Sequence, residues 1–158
     1  MNGKILALAD LAKRADEIRS NDGRLVLTNG CFDLLHVGHV RYLQQAAKLG
    51  DFLLVAINGD ESVRALKGEG RPLNRAEDRA EVLAALACVD LVTIFSEVRA
   101  TRVIEATKPS VYVKGGDYTI ASLDSEETAA LKKVGAEIRT LPLVPGQSTS
   151  SLVDKIRS

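Results

Sequence analysis

Five short apolar runs, "RLVLT" (24–28), "FLLVAI" (52–57), "DLVTIF" (90–95), "SVYVKG" (110–115) and "AEIRTL" (136–141), recur along this chain, each followed by a stretch of helical period. Runs of that length read as strands, and "FLLVAI", apolar at every position, has the pattern of a strand covered on both faces. No hairpin signal lies between any two of them. Strands and helices that alternate in this way give a parallel sheet with helices on both faces, so the expected fold is α/β, one Rossmann-like domain of about five strands. The 158 residues suit a single domain, with residues 1–22 as a leading amphipathic helix and 23–158 as the α/β core.

Helices are expected over "GHVRYLQQAAKLG", with Val40, Leu43 and Ala47 on one face, and over "DESVRAL". Another should run from an Asn74 cap, answered by Glu77, to about Ala87. Three more fall near 98–107, 124–134 and 149–157. The 21 Lys and Arg balance the 21 Asp and Glu, so no net field draws the chain to nucleic acid or an anionic membrane, and any bound anion must be held locally. No apolar stretch approaches the roughly 20 residues of a membrane span. The first residues mix Asp10, Asp16 and Glu17 into the apolar pattern, unlike a secretory signal. The expected location is the cytoplasm, where Cys31 and Cys88 stay as thiols.

Both histidines of the chain lie in "TNGCFDLLHVGH", residues 28–39, directly after the first strand. Asn29 and Gly30 read as a tight exit, and a helix begins near Gly38. Its unpaired N–H groups carry partial positive charge and form a natural phosphate seat, which Gly30 and Gly38 let an anion approach closely. His36 and His39 in that seat could add hydrogen bonds to phosphate oxygens. Two other readings stand beside this one. Cys31, His36 and His39 offer three of the four ligands of a zinc site, and a purely structural pair would cap the helix with one imidazole and pack the other. Asp33 reads as an orienting group for a backbone or imidazole N–H, and Cys31 as a small buried filler. The loop after Thr28, "NGD" after Ile57 and "KGGDY" after Val113 should meet at the carboxyl edge of the sheet, where such folds bind ligands. "GEGRPL" (68–73) only imitates a dinucleotide fingerprint, and no Walker lysine motif exists.

"TNGCFDLLHVGH" resembles the H-x-G-H signature of the nucleotidyltransferase superfamily. With "KLGD", "LKG", "RPLNRAEDR", "VKGGDY" and "GQSTSSLVDKI" in order, the chain is similar over nearly its whole length to bacterial D-glycero-β-D-manno-heptose 1-phosphate adenylyltransferases. The resemblance implies transfer of AMP from ATP to a sugar 1-phosphate, with Mg²⁺ accompanying the ATP. It assigns His36, His39 and Lys67 as catalytic residues. Thr28, Asn29, Gly30, Cys31, Phe32, Asp33, Gly38, Arg79, Lys114, Gly115, Gly116, Asp117, Ser148 and Thr149 become nucleotide-binding residues, and Asp60 and Arg71 contacts to the acceptor. Plainer readings compete: a solvated Lys67 on a glycine-flanked loop, a surface ion pair of Arg79 with Glu77, a simple turn at "KGGD", loop solvation for Arg71 and helix capping for Ser148 and Thr149. Leu143 stands where the cytidylyltransferase branch carries arginine, which argues against that branch, whereas Gly59, where relatives usually carry serine or threonine, and the segment after "GGDY" depart from the usual heptose pattern. A cytidylyltransferase for glycerol 3-phosphate, an FMN adenylyltransferase and a nucleotide-binding regulatory module are the alternatives. The implied partners are ATP and a small sugar phosphate, with no nucleic acid and no membrane, and a homodimer is the assembly to test.

Overall fold

A computed structural model describes residues 3–116, 123–142 and 149–157, the side chains at 149 and 150 excepted. The elements run α1 Leu8–Ser20, β1 Leu25–Gly30, α2 Val37–Ala47, β2 Phe52–Asn58, α3 Asp60–Lys67, α4 Ala76–Ala84, β3 Leu91–Phe95, α5 Thr101–Thr107, β4 Val111–Gly115, α6 Ser125–Val134, β5 Glu137–Leu141 and α7 Thr149–Arg157. The five strands form one parallel sheet in the order β3-β2-β1-β4-β5. The expected α/β architecture is the observed one.

Alternation along β2 explains the layering. Leu53, Val55 and Ile57 point into a core closed by Leu43 and Ala46 of α2 and by Ala80, Leu83 and Ala84 of α4. Leu54 and Ala56 point the other way, against Leu11, Ala15 and Ile18 of α1, Val103 and Ile104 of α5 and Ala130 and Leu131 of α6. Each fully buried Leu or Ile contributes about 1.5–3 kcal/mol, which is why the uniformly apolar "FLLVAI" sits near the middle of the sheet.

Several boundaries differ from expectation for local reasons. Strand β1 runs on to Gly30, because Asn29 and Gly30 stay in register with Ala56 and Ile57. The leading segment is not one helix: Ile5 bridges to Val92, with Val92 N–H donating to Lys4 O and Leu6 N–H to Val92 O, and helix starts only at Leu8. Asn74 does not cap α4, whose N-cap is Arg75 without a side-chain bond, and that helix ends at Ala84. On α2 the fully buried residues are Gly38, Leu43 and Ala46; Leu43 is as expected, Ala47 packs half-buried against the same core, and Val40 is half-buried.

The chain order reverses across β1, which pairs with β2 on one side and with β4 on the other. All strands being parallel, the loops after Gly30, Asn58 and Gly115 leave the sheet along one edge. The expected convergence of the three segments follows from this order.

Candidate active site

The turn after β1 is built around Phe32, whose φ of 47° puts a side-chain-bearing residue in the left-handed region, at a cost of order 1 kcal/mol. This folds the Phe32 ring back over Gly30, where an added Cβ would lie 3.0 Å from Cε2, and sets it 5.4 Å from the His39 ring. Gly30 therefore makes room for an aromatic side chain, a use beside the anion approach expected from sequence. Gly115 shows the same relation at the end of β4, where an added Cβ would stand 3.0 Å from the Tyr42 ring.

Helix α2 then starts with its own two histidines. His36 is the N-cap, and its Nδ1 accepts the Gly38 N–H at 3.1 Å, while His39 Nδ1 accepts the His36 N–H at 3.3 Å. The rings lie 3.9 Å apart between centroids. A ring nitrogen that accepts a peptide N–H carries no proton, so each neutral imidazole keeps its proton on Nε2. Burial lowers the His36 pKa, and burial followed by the neighbouring His36 pushes His39 down to about 4. The pair is thus two neutral donors, each with an Nε2–H that can bond a phosphate oxygen. Among the described residues no three His, Cys, Asp or Glu side chains gather as metal ligands, so Cys31, His36 and His39 do not form the zinc triad considered above.

Asp33 is buried and holds the loop before α4. Its carboxylate accepts the Leu73 N–H at 2.7 Å, the Asn74 N–H at 2.9 Å and Arg71 Nε at 2.9 Å, and its carbonyl accepts Asn74 Nδ2 at 2.9 Å. The expected orienting role is kept for backbone donors, without an imidazole. Burial alone would raise this carboxyl, but the Leu73 and Asn74 donors and Arg71 outweigh it and hold it below the usual range.

Arg79 is only 2% exposed. Nε donates to Asn74 O, Nη1 to Cys31 O and Asn58 O, and Nη2 to Asp60 Oδ1 at 2.8 Å. Both readings from sequence give way: neither a surface pair with Glu77 nor an open fork for a nucleotide, Arg79 ties together the ends of β1 and β2, the α4 entry and α3. Asp60, read as an acceptor contact, has one oxygen committed to Arg79 and to the Ala76 N–H. Thr28 is fully buried, its hydroxyl 2.7 Å from Tyr42 OH, which leaves that side chain no reach to a ligand. Asn29 accepts from Tyr112 OH at 2.5 Å.

Lys67 is the last residue of α3, ahead of Gly68, rather than part of a loop. It lies near enough to Cys31 to act on the thiol, as do Arg79 and Arg71, although burial dominates and raises the Cys31 pKa. Lys114 and Gly115 close β4, and Gly116, at φ 90°, donates its N–H to Leu141 O. Thr149 opens α7. Asp117, Leu143 and Ser148 lie outside the described residues. Three residues escaped the sequence reading. Tyr42 bridges Thr28 and Val113 O, Tyr112 reaches Asn29, and Asn58 donates to Val98 O at 3.3 Å and faces Cys31 Sγ. Tyr42 follows His39 by three positions on one helix, a spacing that could have revealed it.

A family model, cytidylyltransferase-like, matches residues 27–155, which hold this whole arrangement. The chain belongs to the cytidylyltransferase-like family. Curated relatives of this cytidylyltransferase-like chain include the bifunctional protein HldE of Koribacter versatilis, 47% identical over 152 residues, 96% of this chain and 31% of that protein. HldE of Geotalea uraniireducens is 47% identical over 99% of this chain and 32% of its own length. HldE of Pseudomonas syringae is 46% identical over 97% and 32%. The chain thus spans about a third of these relatives. Among solved structures, the lipopolysaccharide core biosynthesis protein of Thermoplasma volcanium superposes with a TM-score of 0.64 at 26% identity, covering 77% of this chain and 97% of that one. The pantoate-beta-alanine ligase of Francisella tularensis, 12% identical with a TM-score of 0.59 over 92% and 68% of the two chains, shares the fold. No helix among the described residues is long and apolar enough to cross a membrane.

Proposed function

We propose that residues 1–158 act as one nucleotidyltransferase domain that transfers AMP from ATP to D-glycero-β-D-manno-heptose 1-phosphate, giving ADP-heptose and pyrophosphate for lipopolysaccharide assembly in the cytoplasm. The observation that carries this reading is the His36–His39 pair, two neutral imidazoles fixed as Nε2–H donors at the start of α2. Membership of the cytidylyltransferase-like family and the likeness to HldE support it.

The acceptor phosphate is already an oxyanion, so its attack on the α-phosphorus needs no base. One acceptor O–P bond forms, the bond from the α-phosphorus to its bridging oxygen breaks, and pyrophosphate leaves. What the protein must supply is alignment and donors for the charge on the α-phosphate oxygens, which two Nε2–H groups and the α2 N-terminus provide. Lys67, on the same edge, is the proposed clamp on the leaving phosphates, and Ser148 and Thr149 are further donors to them. Gly115, Gly116 and Asp117 are proposed to border the nucleoside. The carboxylates of Asp33 and Asp60 are both held by arginines, so Mg²⁺ is assigned to the substrate, as MgATP carried on its phosphates.

Pyrophosphate release across ATP, CTP and GTP against heptose 1-phosphate, glycerol 3-phosphate and FMN tests the reading. Turnover is expected with ATP and heptose 1-phosphate. Turnover confined to CTP with glycerol 3-phosphate, or to FMN, would replace it, and no turnover in any combination would make the domain a binding module. A homodimer is the assembly to test by sedimentation.

A further inference from the structure

Arg71 is a half-occupied fork. Asp33 Oδ2 holds its Nε at 2.9 Å, while among the described residues nothing bonds its two terminal nitrogens. The side chain is not lying out in solvent: it is 19% exposed against 1% for Asp33. A guanidinium fixed at Nε by a buried carboxylate keeps both Nη groups in one plane and one direction, the arrangement that takes up an oxyanion by two parallel hydrogen bonds. The same carboxylate fixes the backbone just after Pro72, through the Leu73 and Asn74 N–H groups, so loop and guanidinium are set by one anchor. That anchor stands three residues before His36, in the turn that carries the imidazole pair, and Arg71 and Lys67 both lie within electrostatic reach of Cys31 in that turn.

We infer that Asp33 is a positioning residue that presents the free face of Arg71 to the phosphate of the acceptor, and so fixes the distance between acceptor phosphate and histidine pair. The inference rests on the proposed transfer to a sugar 1-phosphate and adds, to the acceptor contact that the resemblance gives Arg71, the carboxylate that orients it. Asn at position 33 has one acceptor oxygen in place of two and would turn an N–H toward donors that are already N–H groups.

Initial rates with ATP and heptose 1-phosphate varied separately provide the test. Arg71→Gln and Arg71→Lys are each expected to raise the KM for heptose 1-phosphate by about tenfold or more, the size of one charge-assisted bidentate contact, with the KM for ATP within about twofold. Asp33→Asn is expected to shift the same constant, and Asp33→Asn with Arg71→Gln to be no worse than Arg71→Gln alone, because both remove one interaction. Effects confined to kcat or to the KM for ATP, or multiplicative effects in the double variant, overturn the inference. If Asp33→Asn does not fold, Asp33→Glu, which keeps both acceptor oxygens but moves them by one methylene, takes its place: a raised KM for heptose 1-phosphate is expected and an unchanged one overturns the inference. Should the wild type release no pyrophosphate, heptose 1-phosphate is titrated calorimetrically onto protein holding a non-hydrolysable ATP analogue. Binding weakened about tenfold in Arg71→Gln upholds the inference while the transfer reading fails. Binding unchanged in that variant, or absent from the wild type, overturns the inference.

Discussion

His36 and His39 hold each other's place: the peptide N–H of the first is bonded to Nδ1 of the second, and the first imidazole caps the same helix turn through Gly38. The structural bonds use Nδ1 of each ring and the proposed role in transfer uses Nε2, so the two can be separated by substitution.

His36→Asn keeps a side chain suited to an N-cap and removes the Nε2 donor. It is expected to leave the melting temperature nearly unchanged and to lower kcat about 10²-fold or more. His36→Ala should lose both, with about 0.5–2 kcal/mol of stability gone. Steady-state kinetics and urea unfolding of the pair of variants check this; equal stability of the two would remove the capping role.

The same geometry sets a pH dependence. His39 has a folded pKa of about 4 against an ordinary 6.5, so between those values the unfolded chain binds a proton that the folded chain does not. The stabilisation is fully present above pH 6.5 and is lost as the pH falls through that window toward 4. His39→Gln can still accept the His36 N–H but does not titrate. Its melting temperature should therefore fall less than that of the wild type between pH 7 and pH 4.5, and parallel curves would contradict the assignment.

Arg79→Met leaves the carbonyls of Cys31, Asn58 and Asn74 without their donor. Each orphaned buried acceptor costs about 1–3 kcal/mol, so a loss of about 3 kcal/mol or more is expected in chemical denaturation. Asp60, 37% exposed, rehydrates and adds little. A loss below about 1 kcal/mol would mean that Arg79 is not the tie described here.

Tyr42→Phe removes the hydroxyl that meets Thr28 and donates to Val113 O at 3.1 Å, inside a site buried enough to push its pKa up to about 12. A loss of about 1–3 kcal/mol is expected, with faster amide exchange at Val113 as the local readout. Unchanged exchange would show that the backbone ladder holds that edge alone.

How much of this was legible in the sequence depended on the range of the interaction. Strands came through because period and length are local, and β1 was cut short only because a sheet partner decides whether Asn29 and Gly30 stay extended. The helix start at "HVGH" was visible for the same reason. Arg79, by contrast, sits in a helix whose neighbours Glu77 and Asp78 suggest surface pairing, while its partners come from 5 to 48 positions away. No periodicity encodes such a tie. Nor could the tautomer of the histidines be read from spacing, since it depends on which ring nitrogen meets the backbone. Asn74 looked like a cap because its side chain type is right, but Asp33, 41 positions earlier, holds its Nδ2 and backbone N–H in the loop, and Arg75 becomes the N-cap.

The reversal of strand order has a consequence for how the molecule comes apart. The seam between β1 and β4 has only three aligned pairs, Val26–Val111, Leu27–Tyr112 and Thr28–Val113, whereas β1 and β2 share six. Two of the chain's three tyrosines stitch that seam from the side, Tyr42 onto Val113 O and Tyr112 onto Asn29. The shortest ladder of the sheet is therefore also the place where a ligand spanning both halves adds its binding energy to their cohesion, and by mass action each tenfold rise in saturating ligand is worth about 1.4 kcal/mol against opening there. Substrate would act on this domain as a removable rivet.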